Sequence, residues 1–452
     1  MIEMRLGEAA AAIHAARVPA READLAFRGV STDSRRDCTG VLFFALRGPS
    51  FDGHDHVEDA ARAGAVAAVV ERPGEGGPPR LVVPDARRAL AGLASHWRAR
   101  FDVPFVAVTG SNGKTTVKEM IASILARRHR THATAGNLNT DIGLAATLFG
   151  LAPGHRRAVV EMGANHPGEI AELARLCTPQ VAVVTQCAPA HLEGFGDVAG
   201  VARAKGELFE ALPPDGTGVV NADDRFAGFW TGQLGRRRIL RFGLDSPADV
   251  SARWRPRGHG SRIDLATPAG EAVVNLGLPG RHNVMNALAA AAASHALGEP
   301  LDAIAQGLEA MQPVPGRLCM RSLVGGSVLL DDTYNANPGS LRAALDVLAD
   351  RGGARWLVLG DMAELGGGEQ DLHREAGRLA RERGVDRLYG VGRLAAEAVE
   401  AFGPGGRHHA SRDALVAELR ADLAACSPVT ALVKGSRSMG MESVVQALGD
   451  RC

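Results

Sequence analysis

The segment V-A-V-T-G-S-N-G-K-T-T-V-K-E-M, Val106 to Met120, has the parts of a phosphate cradle in an unusual spacing. The general pattern G-x-x-x-x-G-K-[ST] asks for glycine five residues before Gly113, where this chain has Val108, and the first glycine stands at Gly110 instead. The run F-V-A-V-T-G reads as a buried strand and K-T-T-V-K-E-M-I-A-S-I-L-A-R-R as the helix after it. T-G-S-N-G-K-T then occupies a strand-to-helix turn, where backbone N–H groups point outward. Gly110, Ser111, Asn112 and Gly113 are expected to wrap a phosphate, with Lys114 reaching the terminal phosphates and Thr115, followed by Thr116, offering a hydroxyl to Mg²⁺. The expected ligand is ATP or GTP.

Outward from this loop the sequence keeps one rhythm. Apolar runs of four to six residues, F-V-A-V-T-G, A-V-V-E-M-G, V-A-V-V-T-Q and G-V-V-N-A-D, alternate with helical stretches, which signals a parallel sheet covered on both faces. The guanine-reading N-K-x-D of switch GTPases and the strand-end aspartate of ordinary P-loop ATPases do not occur in the expected form. Instead one strand ends in Glu161, and the next leads to C-A-P-A-H-L-E-G-F-G with His191 and Glu193. Glu161 and His191 would share the C-terminal rim with the phosphate loop and could hold metal beside a nucleotide. Each alone would be an ordinary strand-end or loop residue, and Lys205, in the helix G-V-A-R-A-K-G-E-L-F-E-A-L, would be an ordinary surface lysine.

At 452 residues the chain exceeds one ordinary hydrophobic core. The first hundred residues contain strand-like V-L-F-F-A-L, A-V-A-A-V-V-E and L-V-V-P and end in the helix A-R-R-A-L-A-G-L-A-S-H-W-R-A-R-F, so a boundary is expected near Asp102-Val103-Pro104. A hinge is expected at M-Q-P-V-P-G-R, Met311 to Arg317, after which S-V-L-L-D-D, R-W-L-V-L-G-D, D-R-L-Y-G-V-G and T-A-L-V-K-G alternate with helices as in a Rossmann-type sheet. The expected fold is α/β in three domains, 1–102, 103–313 and 314–452: a small α/β domain, a P-loop ATPase-type parallel sheet, and a doubly wound sheet.

Composition excludes several classes. Lys+Arg and Asp+Glu both number 51, which gives no reason to expect nucleic acid or anionic membrane as a partner. Apolar runs stop short of the roughly 18–20 residues of a membrane span. The start, M-I-E-M-R-L-G-E-A-A-A-A-I-H-A-A-R-V, reads as an amphipathic helix and not a signal peptide. Cys38, Cys177, Cys187, Cys319, Cys426 and Cys452 form no C-x-x-C pair, as in a cytoplasmic protein with reduced thiols.

With these residues assembled, the chain resembles the Mur ligase family, whose loop runs T-G-[ST]-[NS]-G-K-T. The resemblance covers nearly the full length, with S-T-D-S-R-R-D-C-T-G, F-D-G-H-D, A-G-N-L-N-T-D-I-G, V-V-E-M-G-A-N-H-P-G-E-I, A-H-L-E-G-F-G-D, A-R-A-K-G-E, L-P-G-R-H-N-V-M-N, D-D-T-Y-N-A-N-P, G-D-M-A-E-L-G and L-V-K-G-S-R-S-M-G-M-E in order. It implies that the first domain binds a uridine nucleotide, with Ser34 and Arg35 as contacts. It also implies that Thr115, Glu161, His191 and Lys205 surround two Mg²⁺, with Lys205 carried as a carbamate and Lys114, Lys205 and His191 serving catalysis. By the same resemblance Asn283, Arg317 and Asp332 contact ATP, and Asn139, Thr140, Asn335, Lys434 and Arg437 contact substrate. D-D-T-Y-N-A-N-P is the string most diagnostic of the member that joins D-alanyl-D-alanine to UDP-MurNAc-tripeptide through an acyl phosphate, and D-N-P-R of the diaminopimelate-adding member is absent. Gln186 and Ala145 depart from the asparagine and proline common at their positions. The resemblance implies a cytoplasmic enzyme, and a monomer is expected.

Two rival readings remain at this point. A folylpolyglutamate synthase-like ligase shares the ATP chemistry but leaves the first segment and D-D-T-Y-N-A-N-P without a role. A nicotinamide-dependent oxidoreductase would use Gly390, Gly392 and Ala395, which fit G-x-G-x-x-A after a strand.

Overall fold

The computed structural model of the protein describes residues 1–16, 20–74, 76–189, 192–426 and 428–449. Its centre is a parallel sheet of six strands in the spatial order Arg238–Phe242, Thr217–Asn221, Val181–Val184, Phe105–Thr109, Arg157–Glu161 and Thr131–Ala133. Phe105–Thr109 is buried at every residue, as a strand covered on both faces must be. One face carries the helices Lys114–Leu125 and Arg281–Ala296, and the other carries Asp141–Phe149, Glu169–Cys177 and Val198–Glu210. The alanines 289–293 are all buried, so the second of these helices lies close to its neighbours on every side. At Gly307 a Cβ would stand 2.3 Å from Ile124 Cα, so the helix Leu301–Glu309 can approach only with glycine there.

The first domain holds four parallel strands, Val30–Ser31, Leu42–Phe44, Ala67–Val70 and Arg80–Val82, together with an antiparallel pair, Glu3–Arg5 and Ala26–Arg28. The N-terminus is therefore not one amphipathic helix. Met4 is buried opposite Phe27 while Glu3 and Arg5 face solvent, a period of two, and the helix begins only at Leu6. Helix Ala86–Arg98 is capped by the Asp85 carboxylate, which accepts from Arg88 N–H at 2.9 Å. Its Leu90, Leu93 and Trp97 share one core with Phe105, Leu148 and Ile170 of the central domain. Hydrophobic packing thus continues across the link at Asp102-Val103-Pro104.

The last domain is a six-stranded sheet in the order Cys319–Ser322, Val328–Asp332, Val429–Lys434, Ala354–Gly360, Arg387–Val391 and Gly406–His409, with only the first strand antiparallel. Helices cover both faces and enclose two cores of their own, separate from those of the first two domains. One feature had no counterpart in the sequence-based expectation. Ser251–Arg257, Gly260–Thr267 and Gly270–Leu276 form an antiparallel meander that packs Ile263, Leu265, Val274 and Leu276 onto the central domain. No helix among the described residues is long and apolar enough to cross a membrane.

Candidate active site

The phosphate loop is held from the side by the end of the neighbouring strand. Ser111 N–H donates to the Gln186 carbonyl at 2.9 Å, Ser111 Oγ donates to the Ala188 carbonyl at 2.9 Å, and Thr185 Oγ1 donates to the Asn112 carbonyl at 2.6 Å. Gly110 has φ +147°, and a Cβ there would stand 1.9 Å from Thr185 Oγ1. Gly113, at φ +81°, would meet Asn286 Oδ1 at 2.4 Å. Both glycines are therefore fixed by close neighbours and backbone conformation, which accounts for the shifted first glycine. Lys114 Nζ donates to the Gly110 carbonyl at 2.8 Å, closing the loop on itself. Burial lowers the Lys114 pKa, Glu161 opposes this, and Arg317 adds to it.

Glu161 ends the adjacent strand, 1% exposed. Asn139 Nδ2 donates to its Oε1 at 2.7 Å, while Oε2 is buried without a partner. A buried carboxylate oxygen with no donor is an acceptor waiting for a cation or a proton donor. Asn139, expected as a substrate contact, here orients Glu161. Lys205 is 2% exposed, so it is not a surface lysine. Burial, with the charge of Lys114 second, brings its pKa down to about 7. Thr115 Oγ1 and Glu161 are the oxygen groups at this rim that could hold a metal, and the described residues contain no cluster of three or more His, Cys, Asp or Glu. His191 lies outside the described residues.

The last domain completes the site. Arg317 Nη2 donates to Thr115 Oγ1 at 3.0 Å, and its guanidinium lies 4.0 Å from the Tyr334 ring centroid. Asp332 accepts from Leu318 N–H at 3.2 Å and from Lys434 Nζ at 2.5 Å, and the same ammonium donates to the Asn335 carbonyl at 2.9 Å. Asn337 Nδ2 donates to Asn112 Oδ1 at 2.8 Å. A single cleft of about 1910 Å³ is lined by Ser111, Asn112, Gly113, Lys114, Thr116, Asn139, Thr140, Glu161, Asn283, Arg317, Asp332, Asn335 and Lys434. Arg87, which pairs with Asp141, brings the first domain to its wall.

Several expected contacts lie elsewhere or act differently. Ser34, Arg35 and Arg437 do not line this cleft: Arg35 forms a two-pronged pair with Asp33 at 2.8 and 3.0 Å, and Arg437 pairs with Glu442 at 2.9 Å. Within F-D-G-H-D, His54 Nε2 accepts from Glu71 N–H at 2.9 Å, so this histidine braces its own domain. Asn283, expected to contact ATP, lines the cleft with its amide donating to the Pro279 carbonyl at 2.8 Å and its Oδ1 accepting from Asn286 Nδ2 at 3.3 Å. Asn286, Asn337 and His282 also line the cleft and had not been singled out from sequence. In the dinucleotide-like turn, Leu394 and Ala395 N–H groups both donate to Asp361 Oδ1, at 3.0 and 2.7 Å, and a Cβ on Gly392 would stand 2.4 Å from that oxygen. The chain's own carboxylate fills the place a dinucleotide phosphate would need, so the G-x-G-x-x-A fingerprint is structural.

Comparison with known proteins agrees with this architecture. Residues 26–98 match the Mur ligase family catalytic domain, 108–294 the Mur ligase middle domain, and 316–437 the Mur ligase glutamate ligase domain. The UDP-N-acetylmuramoyl-tripeptide–D-alanyl-D-alanine ligase of Escherichia coli K12 is 46% identical over 428 residues, covering 94% of each chain. Among solved structures, MurF from Acinetobacter baumannii superposes with a TM-score of 0.94 at 34% identity over 100% of both chains. MurF ligase from Thermotoga maritima in complex with ADP gives a TM-score of 0.83 at 28% identity, over 93% of this chain and 97% of that one. With this identity held along nearly the whole of both chains and each domain matched in order, the protein belongs to the Mur ligase family.

Proposed function

We propose that the protein is an ATP-dependent ligase that joins D-alanyl-D-alanine to UDP-N-acetylmuramoyl-tripeptide, giving the pentapeptide precursor of peptidoglycan, ADP and phosphate. The observation that carries this reading is the single cleft in which the phosphate loop of one domain faces Arg317, Asp332, Asn335 and Lys434 of the next. We assign the uridine nucleotide to 1–102, ATP to 103–313 and the incoming dipeptide to the cleft face of 314–452. On this reading the chain acts as a monomer in the cytoplasm.

A carboxylate does not react with an amine at neutral pH, because its oxygen leaves too poorly. The terminal carboxylate of the tripeptide attacks the γ-phosphorus of ATP, ADP departs, and an acyl phosphate forms. The dipeptide amine then attacks that carbonyl, a proton is lost from nitrogen, and phosphate leaves from the tetrahedral intermediate. Lys114 and the loop N–H groups stabilise charge on the transferring phosphoryl group. Arg317 brings a second positive charge from the last domain, and Lys434 is held by Asp332 toward the acceptor side. Closure of the last domain over the cleft would keep water from the acyl phosphate.

Mg²⁺ would neutralise phosphate charge during transfer. Thr115 and Glu161 would hold it, and the orphaned Glu161 Oε2 supports that fit. Lys205 fits a carbamate chemically. Addition of CO₂ needs a neutral amine, which burial makes accessible by bringing this one to about 7; the nitrogen gives up a proton to solvent, and the product is an anionic, carboxylate-like ligand whose buried charge a bound cation would offset. His191 is the remaining candidate ligand.

The deciding experiment follows phosphate release from ATP with UDP-MurNAc-tripeptide present, comparing D-alanyl-D-alanine, D-alanine and glutamate as amines. Release with the dipeptide alone, matched by pentapeptide formation, is expected. Release with glutamate instead would reassign the acceptor side, and release with none would refute the ligase reading.

A further inference from the structure

We propose that Asn112 and Asn337 form a hook between domains, and that both are positioning residues which set the acceptor side of the cleft against the phosphate loop. The inference rests on reading the cleft as a ligase site, but the hook itself is a contact that can be measured without substrates.

The orientation of Asn337 is fixed by its own helix. Its Oδ1 accepts from Ser340 N–H at 2.8 Å and Ser340 Oγ accepts from Asn337 N–H at 3.0 Å, a reciprocal cap at the start of Pro338–Ala349. With the oxygen committed to the helix, the amide nitrogen must point the other way, and it donates to Asn112 Oδ1 at 2.8 Å. The approach is close: a Cβ on Gly339 would stand 3.5 Å from Asn112 Nδ2. Asn112 is equally constrained, because its carbonyl accepts from Thr185 Oγ1 at 2.6 Å. Its side-chain oxygen reaches the other domain, while Nδ2 is buried and unpaired.

A second contact, Arg317 to Thr115, also crosses between the loop and the last domain. That contact is made by a cation to the hydroxyl assigned to metal, so a divalent ion arriving there weakens it. The asparagine pair is neutral and occupies none of the loop N–H groups, so it survives nucleotide loading. Asn337 is two residues beyond Asn335, whose carbonyl binds the buried Lys434 ammonium at 2.9 Å. A shift at the hook is thereby passed to Asn335 and Lys434 through a short, fully braced segment.

The test uses Asn337→Ser, Asn112→Ala and the double variant of the full-length chain. Serine is a good helix cap but has no amide, so Asn337→Ser removes the hook and keeps the helix, and a melting temperature near that of the parent checks this. Small-angle scattering of the nucleotide-free proteins is expected to show each single variant more extended than the parent. The KM for D-alanyl-D-alanine is expected to rise about fivefold in either single variant, the worth of one neutral hydrogen bond, and no further in the double variant. Scattering identical to the parent, or losses that multiply in the double variant, would overturn the hook. If the parent ligates nothing, the functional reading fails while the scattering comparison still decides the contact.

Discussion

The hydroxyl of Thr185 stands 1.9 Å from the position a Cβ on Gly110 would occupy. The loop has its first glycine at 110 because the neighbouring strand end crowds the backbone there, and the same hydroxyl holds the Asn112 carbonyl. Gly110→Ala must both displace Thr185 and adopt a φ of +147°. A loss of about 1–3 kcal/mol in urea denaturation is expected from the backbone strain, together with loss of ADP binding by calorimetry. Adding Thr185→Ala removes the 1.9 Å overlap but leaves the residue's Cβ and N at 3.1 and 3.2 Å, gives up the hydroxyl's bond to Asn112 and leaves the strain, so it should restore stability only in part. Full restoration would show that the strained backbone costs little and that the Thr185 hydroxyl is what selects the glycine.

Glu161 carries the second prediction. Glu161→Gln keeps the shape and an oxygen for Asn139 but removes the charge beside the unpaired position. Mn²⁺ titration followed by electron paramagnetic resonance, with ADP present, is expected to show at least a tenfold weaker site. Unchanged Mn²⁺ affinity would remove Glu161 from the metal site.

Lys205 carries the third. Protein equilibrated with ¹³C-bicarbonate is expected to give one carbamate carbonyl resonance that Lys205→Ala abolishes. Lys205→Ala should also lower kcat on the order of 10²-fold, and Lys205→Glu should recover part of it by restoring a carboxylate. A resonance that persists in Lys205→Ala would belong to another amine.

Much of this site was legible because its parts are strings tied to strand ends. Lys114, Thr115 and Glu161 sit where short apolar runs stop, and a parallel sheet brings such ends to one rim. What the sequence hid were contacts made by residues with ordinary local roles. Asn337 caps its own helix with the side-chain oxygen, and only the docking of the domains gives its amide nitrogen a partner in Asn112. Asn139 was expected to touch substrate, yet it orients Glu161 from 22 positions away. The meander at 251–276 was visible in principle, in the alternation of Ile263 and Leu265 with Arg262 and Asp264, but its strands lie outside the parallel rhythm that organised the reading. The first strand was masked by alanines that follow it, since Leu6–Ala12 has far stronger helical character than Glu3–Arg5 has of strand.

His282 gives the last prediction, one of acid stability. Burial holds its imidazole at about 4 instead of 6.5, with the Asp332 and Asp346 carboxylates pulling it up and the Lys434 ammonium pushing it down. Between these two values the folded chain keeps His282 neutral while the unfolded chain takes up a proton. The unfolded state thus binds more protons in that window, and stability falls as pH drops from 6.5 toward about 4. His155 is also held at about 4, chiefly by burial and then by His132 and Arg130, so it adds a slope of the same sign. Urea denaturation across this window is expected to show a shallower pH dependence in His282→Asn and in His155→Gln than in the parent, and the two reductions should add, since different charged groups act on each imidazole. A slope unchanged in His282→Asn would mean that the folded chain does not keep this imidazole neutral across the window, and the prediction would fail.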